Sequence, residues 1–122
     1  MEEKNVGSIK ISEEVIAEIA IKAASEVDGV ARVSQRMLDN AKKLITNSKT
    51  PLVKGIQIIT GPEGLLLTLQ IHVYAGRPIP RVAEEVQRCV ADAVSSMTGI
   101  SVSGVNISVV GVMPEKSVPD GE

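Results

Sequence analysis

The residues of this chain that could do covalent or acid–base chemistry are few. His72 is the single histidine and Cys89 the single cysteine in 122 residues. A metal site or a catalytic dyad needs further ligands or a base, and the sequence has no second histidine and no cysteine cluster. We therefore interpret His72 as an ordinary residue on a sheet face and Cys89 as a small apolar side chain on a helix.

The acidic pair and the glycine turn also favour a structural role. Glu84 and Glu85 are adjacent on a predicted helix, so their side chains point about 100° apart rather than toward one substrate. Residues 61–64, Gly-Pro-Glu-Gly, match the bare Gly-x-x-Gly pattern of RNA-binding KH loops, but they lie between two predicted strands, where turn glycines are common. The sequence thus predicts no catalytic, cofactor-binding or metal-binding residues, and we expect no small-molecule substrate.

Composition narrows the remaining classes of function. Tyr74 is the only aromatic residue, so the chain cannot supply the row of stacking side chains that single-stranded nucleic acids require. The net charge of −2 argues against attraction of the whole chain to phosphates or anionic lipid. No signal-peptide pattern and no apolar run of roughly 20 residues is visible, so we expect a cytoplasmic protein that is not inserted in a membrane. If it works at a membrane, another molecule must bring it there.

Two groups of residues remain as candidate interaction surfaces. The first is the polar side of the predicted sheet, which is uncharged, as the centres of protein interfaces often are, and which could equally face solvent: Thr68, Gln70, His72, Tyr74, Asn106 and Ser108. The second is a basic surface within 31–54, where a single acidic residue, Asp39, accompanies six basic ones: Arg32, Arg36, Lys42, Lys43, Lys49 and Lys54. A basic helix there could bind an acidic partner or an anionic surface, or be a solvated face over the core.

The elements that position these residues follow from hydrophobic periodicity. Apolar residues three and four apart predict a helix that begins at Ser12 and stops at 28–29, a shorter helix within 37–45, and a long helix from Pro80 to Met97 that ends at Gly99. Strict alternation predicts strands at 65–73 and 105–109. A shorter strand at 56–59 pairs with the first of these through the turn at 61–64.

This order of elements predicts an α+β fold built as a two-layer sandwich. A small mixed three-stranded sheet, with 7–11 as a candidate extra N-terminal strand, carries two main helices on one face and a short variable helical segment. The last strand should run parallel to the 65–73 strand, because a long helix connects the two. We expect one domain over 7–112, a disordered N-terminus at 1–6 and a flexible tail at 113–122.

Several motifs in this order resemble the bacterial alkaline shock proteins, also called envelope stress response proteins. They are Ile79-Pro80, Val82-Ala83, Val86-Gln87, Met97-Thr98-Gly99, Val-Asp-Gly-Val at 27–30 and Val-Asn-Ile-Ser-Val-Val-Gly-Val at 105–112. The resemblance covers about residues 7–112. Two departures stand out, because Ala75 separates Tyr74 from Gly76 and residues 31–53 are basic rather than glycine-rich.

The resemblance implies a non-enzymatic cytosolic protein that acts by protein–protein contact in the cell-envelope or alkaline stress response. It further implies self-association as a homo-oligomer and, as in some members, a membrane-anchored partner of the same family. It supplies no catalytic residues. Its motif residues have structural roles here, since Pro80 starts a helix, Gly99 ends one and Gly111 permits close approach near the end of a strand. A nucleic-acid-binding or regulatory module that uses the basic surface is the alternative function.

Overall fold

The computed structural model describes residues 7–34 and 52–115, which form two helices and one five-stranded sheet. In chain order the elements are α1 (Glu13–Ser25), β1 (Val30–Val33), β2 (Leu52–Val53), β3 (Ile56–Gly61), β4 (Gly64–Tyr74), α2 (Ile79–Thr98) and β5 (Val102–Met113). The α+β class predicted from the sequence is confirmed. None of the described helices is long and apolar enough to cross a membrane.

Both helices begin, and α2 also ends, where their capping residues predict, whereas α1 ends at Ser25, before the predicted stop at 28–29. The Ser12 side chain accepts a hydrogen bond from the backbone N–H of Val15 at 3.2 Å, which satisfies a donor that the first turn leaves free. Pro80 lies in the first turn of α2, where a missing N–H has no cost. Gly99 ends α2 in the left-handed conformation at φ 77°, which glycine adopts without strain.

The central strand of the sheet is β4. One of its edges pairs in parallel with β5, and its other edge pairs antiparallel with β3 near the start and with β1 near the end. β2 pairs with β3. The parallel β4–β5 pair and the β3–β4 hairpin agree with the sequence-based expectation.

The predicted count of three strands is too low, because β1 and β2 were missed. β2 is only two residues long. β1 contains an irregularity between Val30 and Arg32, so its two buried valines, Val30 and Val33, are three residues apart instead of an even number. Neither strand therefore shows the alternation by which strands are recognised. Residues 7–11, the candidate extra strand, have no regular secondary structure.

The core lies between the two helices and one face of the sheet. Alternate residues of β4 point into it, and all are 3% exposed or less: Leu65, Leu67, Leu69, Ile71 and Val73. In the same buried cluster are four valines of α2, Val82, Val86, Val90 and Val94, and the side of α1 formed by Ile16, Ala17, Ala20 and Ala24. The alanines of α1 leave room for close packing against its neighbours.

Three further expectations from the sequence need comment. Met97, which belongs to the predicted apolar stripe of α2, is 70% exposed and lines a groove between the helices instead of the core. The helix predicted within 37–45 and the terminus at 1–6 lie outside the described residues. Within the predicted tail, Met113 is the last residue of β5 and Glu115 forms an ion pair with Arg77 at 2.9 Å.

Candidate functional site

The side chains of β4 that point away from the core, which are polar except for Leu66 near the start of the strand, form the centre of a second face of the sheet, which we call the open face. They alternate with the buried leucines of the same strand, and the parallel register places two residues of β5 beside them, Asn106 next to Thr68 and Ser108 next to Gln70. The structure therefore brings the six predicted contact residues together on one face: Thr68, Gln70, His72, Tyr74, Asn106 and Ser108.

Access to the open face is uneven. Asn106 is exposed, and four other members are half-buried, namely Thr68, His72, Tyr74 and Ser108. Gln70 is only 3% exposed. A charge introduced at Gln70 would thus be buried and would destabilise the fold itself. Asn106, on the β5 side, is the position at which a substitution can test binding without disturbing the core.

His72 packs across β5 and has no catalytic arrangement around it. A Cβ atom on Gly111 would lie 2.5 Å from Cδ2 of His72, so the glycine makes room for the ring. Nδ1 is buried without a hydrogen-bond partner among the described residues. Burial and, to a smaller extent, the charge of Arg32 lower the pKa of His72 from its usual value of 6.5. The ring is therefore neutral at neutral pH.

Cys89 is half-buried on the side of α2 that faces α1. Its Sγ donates a hydrogen bond to Oε2 of Glu85 at 3.6 Å, and Arg88 pairs with the same carboxylate. Burial, followed by the interaction with Glu85, raises the pKa of the Cys89 thiol. A nucleophilic cysteine needs the opposite shift, so this environment favours the structural interpretation.

Gly61 and Gly64 pair with each other across the two-residue turn between β3 and β4. Gly64 has a φ of +125°, and a Cβ atom there would lie 2.4 Å from the carbonyl oxygen of Ser101. The glycine is thus required by the close approach of two backbones. This geometry explains the second glycine of the Gly-x-x-Gly pattern without a bound phosphate.

A shallow groove of about 340 Å³ runs between α1 and α2. Its floor is apolar, and its rim carries Glu18, Lys22 and Glu26. A substrate pocket needs a few polar groups that converge on one point, which this lining does not provide. The described residues also contain no cluster of three His, Cys, Asp or Glu side chains that could hold a metal ion.

The structure describes two of the six residues of the predicted basic surface. Arg32 is exposed on β1, opposite His72. Lys54 lies in the turn between β2 and β3, and its Nζ is 3.8 Å from carboxylate oxygens of both Glu14 and Glu18 of α1. Its charge is therefore partly compensated. The remaining four lie outside the described residues: Arg36, Lys42, Lys43 and Lys49.

Two interactions at the ends of the sheet were missed by sequence reasoning. Arg77 pairs with Asp28 at 2.7 Å and with Glu115 at 2.9 Å, which ties the turn after α1 to the end of β5. Gln87 donates a hydrogen bond from Nε2 to the carbonyl oxygen of Val105 at 2.9 Å. No local pattern predicts contacts between such distant residues, although the Val86-Gln87 motif of the family was a signal for the second.

Comparison with known proteins agrees with the motifs. A sequence model of the alkaline shock protein family, described by a cell envelope-related function, matches residues 1–114. The uncharacterized protein YqhY of Bacillus subtilis is 32% identical over 111 residues, which cover 91% of this chain and 81% of that protein. The uncharacterized protein Spy1535 of Streptococcus pyogenes is 34% identical over 114 residues, which cover 92% of this chain and 84% of that protein.

Among solved structures, a MamM-CTD structure has a TM-score of 0.50 and 15% sequence identity, over 82% of this chain and 99% of that one. At this identity the likeness describes the fold alone. The family match, by contrast, extends over nearly the whole chain, and both relatives are more than 30% identical with broad coverage. The chain therefore belongs to the alkaline shock protein family, whose function is related to the cell envelope.

Proposed function

We propose that this protein is a non-enzymatic interaction module of cell-envelope homeostasis, which works by self-association and by binding a membrane-anchored protein. The observation that carries the proposal is the scarcity of charge on the sheet. Across the five described strands, Arg32 is the only Lys, Arg, Asp or Glu. Depletion of charged residues is the compositional mark of interface centres, so the open face is suited to contact with another protein.

The shape and chemistry of the open face support a protein partner over a small ligand. Asn106 Nδ2 donates a hydrogen bond to Thr68 Oγ1 at 3.5 Å, and the amide of the exposed Asn106 has a further N–H and an oxygen with which it can bind a partner. Tyr74, further along β4, adds an amphipathic ring of the kind that interfaces favour. Small ligands bind in concave sites, whereas these side chains project from a sheet surface.

We place the protein in the cytoplasm, attached to the membrane through a membrane-anchored partner of the same family. The support for this location is the family's cell envelope-related function. The alternative, nucleic-acid binding through the basic surface, has less support among the described residues. Lys54 faces two glutamates of α1, and Arg32 is isolated from it on β1.

A capture experiment tests the partner. Immobilised protein is incubated with detergent-solubilised membranes of a bacterium that encodes it, and retained proteins are identified by mass spectrometry. The wild type should retain an integral membrane protein, and Asn106→Glu should reduce its recovery about tenfold, because a charge then enters the contact. Ser96→Glu, at an exposed position of α2, is the matched control.

The controls separate the parts of the proposal. Ser96→Glu and Cys89→Ser should retain the membrane protein as well as the wild type does. Equal retention by Asn106→Glu would exclude the open face as the binding surface. If no membrane protein is retained and the wild type is a monomer by light scattering, the proposed function is wrong.

A further inference from the structure

We propose that two copies of this chain pair through the free edge of β5, antiparallel and edge to edge. The proposal rests on the self-association proposed above and names the strand that carries it. Among the described strands, β5 pairs with β4 alone, so its outer edge has no partner strand. The outer edge of such a strand presents a row of backbone N–H and C=O groups that another strand can bind.

Between its two register irregularities, at 102–104 and 109–111, β5 lacks the features that usually prevent pairing at a sheet edge. It is twelve residues long and contains no Lys, Arg, Asp, Glu or Pro. Monomeric proteins protect their edges with short strands, charges or proline. Five valines and one isoleucine also give β5 a strong preference for strand structure. Its length and composition therefore suit it to bind a further strand.

Symmetry favours a second copy of β5 as that strand. When a strand pairs with its own copy about a two-fold axis, residues at equal distances on either side of the centre face each other. A charge near the centre would thus lie close to an identical charge, which is unfavourable. β5 carries no charge that could oppose the pairing. If the axis is perpendicular to the sheet, the helices of both copies lie on the same side and one central residue faces its own copy.

The flank of α2 next to this edge leaves room for a second copy. The hydrogen bond from Gln87 to the Val105 carbonyl shows which side of α2 lies over β5. Ala91 and Ser95 follow at steps of four residues and Glu84 precedes Gln87 by three, so all of them lie on the same side of the helix. Ala91 and Ser95 are small and uncharged, which allows the α2 helices of two copies to approach each other along the C-terminal half of this side, whereas the exposed Glu84 lies nearer the start of α2.

The same hydrogen bond indicates where the pairing is centred. The Val105 carbonyl already accepts a hydrogen bond from Gln87. Beyond Val109 the register with β4 shifts, since Ile71 faces Val109 but His72 faces Gly111. Such an irregularity bends a strand and interrupts its ladder. We therefore place the centre of the β5–β5 pair between these two points, at 106–108.

A scan of single cysteines along β5 tests this arrangement in the Cys89→Ser background. The variants are Ser103→Cys, Asn106→Cys, Ile107→Cys, Ser108→Cys and Val112→Cys. A disulfide between copies requires Cα atoms about 4.4–6.8 Å apart. For each residue by which a cysteine is moved away from the centre, it and the same cysteine of the other copy lie a further ~7 Å apart along the strands. Cross-linking under mild oxidation should therefore peak at one position within 106–108 and be weak at Ser103 and Val112.

Thr68→Cys, on the open face of β4, is the matched control for the scan. Face-to-face packing of two sheets would cross-link this variant, whereas edge pairing would not. A flat profile along β5, or strongest cross-linking at Thr68→Cys, would overturn edge pairing while self-association remained. A wild type that is monomeric at every concentration in light scattering would overturn both, but would leave capture of a membrane-anchored protein unaffected.

A charge at the proposed centre provides a second, independent test. Ser108→Lys places two like charges close to the axis, so the dissociation constant of the dimer should rise about tenfold or more. Ser96→Lys adds the same charge to an exposed position of α2 and should leave the constant unchanged. Circular dichroism of both variants confirms that they are folded. Equal dissociation constants for the two variants would contradict the assignment.

Discussion

On the side away from β5, the sheet ends in two short strands, β1 of four residues and β2 of two, whereas on the other side it ends in the twelve residues of β5. β2 is closed by a two-residue turn in which Lys54 and Gly55 both have positive φ, 54° and 84°. Positive φ at both positions is typical of the type I′ turn, whose twist fits a hairpin. The Lys54 ammonium also lies near two glutamates of α1.

The two edges of this sheet therefore differ in how well they are protected against pairing with another chain. The edge formed by β1 and β2 is interrupted and includes Arg32, with Lys54 beside it, and these features discourage pairing with another chain. β5 has neither short length nor charge. The uncharged length of β5 is therefore the feature on which the proposed β5–β5 pairing depends.

The largest effect on stability should follow from separating the start of β5 from β4. Gly64→Ala places a Cβ atom 2.4 Å from the Ser101 oxygen, at a φ that alanine rarely adopts. That oxygen also accepts a hydrogen bond from Leu65 N at 2.9 Å. We expect a decrease of about 3 kcal/mol in the free energy of unfolding, measured with urea.

Gly61→Ala is the matched control on the other side of the same turn. An added Cβ there meets only the Gly64 oxygen, at 3.8 Å, which is ordinary contact. Its free energy of unfolding should change by less than about 1 kcal/mol. Similar losses in both variants would mean that the close approach at Ser101 does not hold β5 in place.

The turn at the opposite edge should be less sensitive. Gly55→Ala forces alanine into a φ of 84° and should lower the free energy of unfolding by about 1–2 kcal/mol. Lys54→Gly removes the strain of a positive φ at a non-glycine residue. It should raise the free energy of unfolding by up to about 1 kcal/mol, since the exposed ion pairs that are lost contribute little. A loss with Lys54→Gly would show that the contacts with α1 outweigh the turn. Urea unfolding of both variants distinguishes these outcomes.

Gln87→Ala should affect stability and pairing together. Loss of the hydrogen bond to Val105 should lower the free energy of unfolding by about 0.5–1.5 kcal/mol in urea. It also frees the Val105 carbonyl at the edge strand. In the cysteine scan, the maximum should then broaden toward residue 105. An unchanged profile would mean that Gln87 does not limit where β5 pairs.

The smallest effect should be a dependence of stability on pH through His72. The pKa of His72 is lowered from 6.5 in the folded protein, so below that pH the unfolded chain binds a proton that the folded protein does not. Stability should therefore fall as the pH drops below 6.5, with no contribution from His72 above it. Thermal unfolding at about pH 7 and about pH 5.5 should show a smaller decrease for His72→Gln than for the wild type. Equal decreases would exclude this role.

Long periodic patterns allowed α2 and β4 to be predicted from the sequence, and Gly99 correctly marked the end of α2, whereas α1 ends at Ser25, before the predicted stop at 28–29. β1 could not be predicted, because its irregularity replaces the alternation with two buried valines three residues apart. The six residues of the open face were identified from alternation, but the burial of Gln70 was not, because burial depends on packing in three dimensions. The free edge of β5 could not be predicted either, because strand order is set by contacts between residues that are distant in the sequence.

The central position of β4 has a consequence during synthesis. Its edge that pairs with β5 stays bare until the ribosome has added α2 and β5, about 40 residues later, which takes about 2–8 s at 5–20 residues per second. For that interval the nascent chain exposes an apolar strand edge that chaperones can bind. A chain that terminates before Val102 would keep this edge bare permanently, so premature termination should yield fragments that aggregate or are degraded.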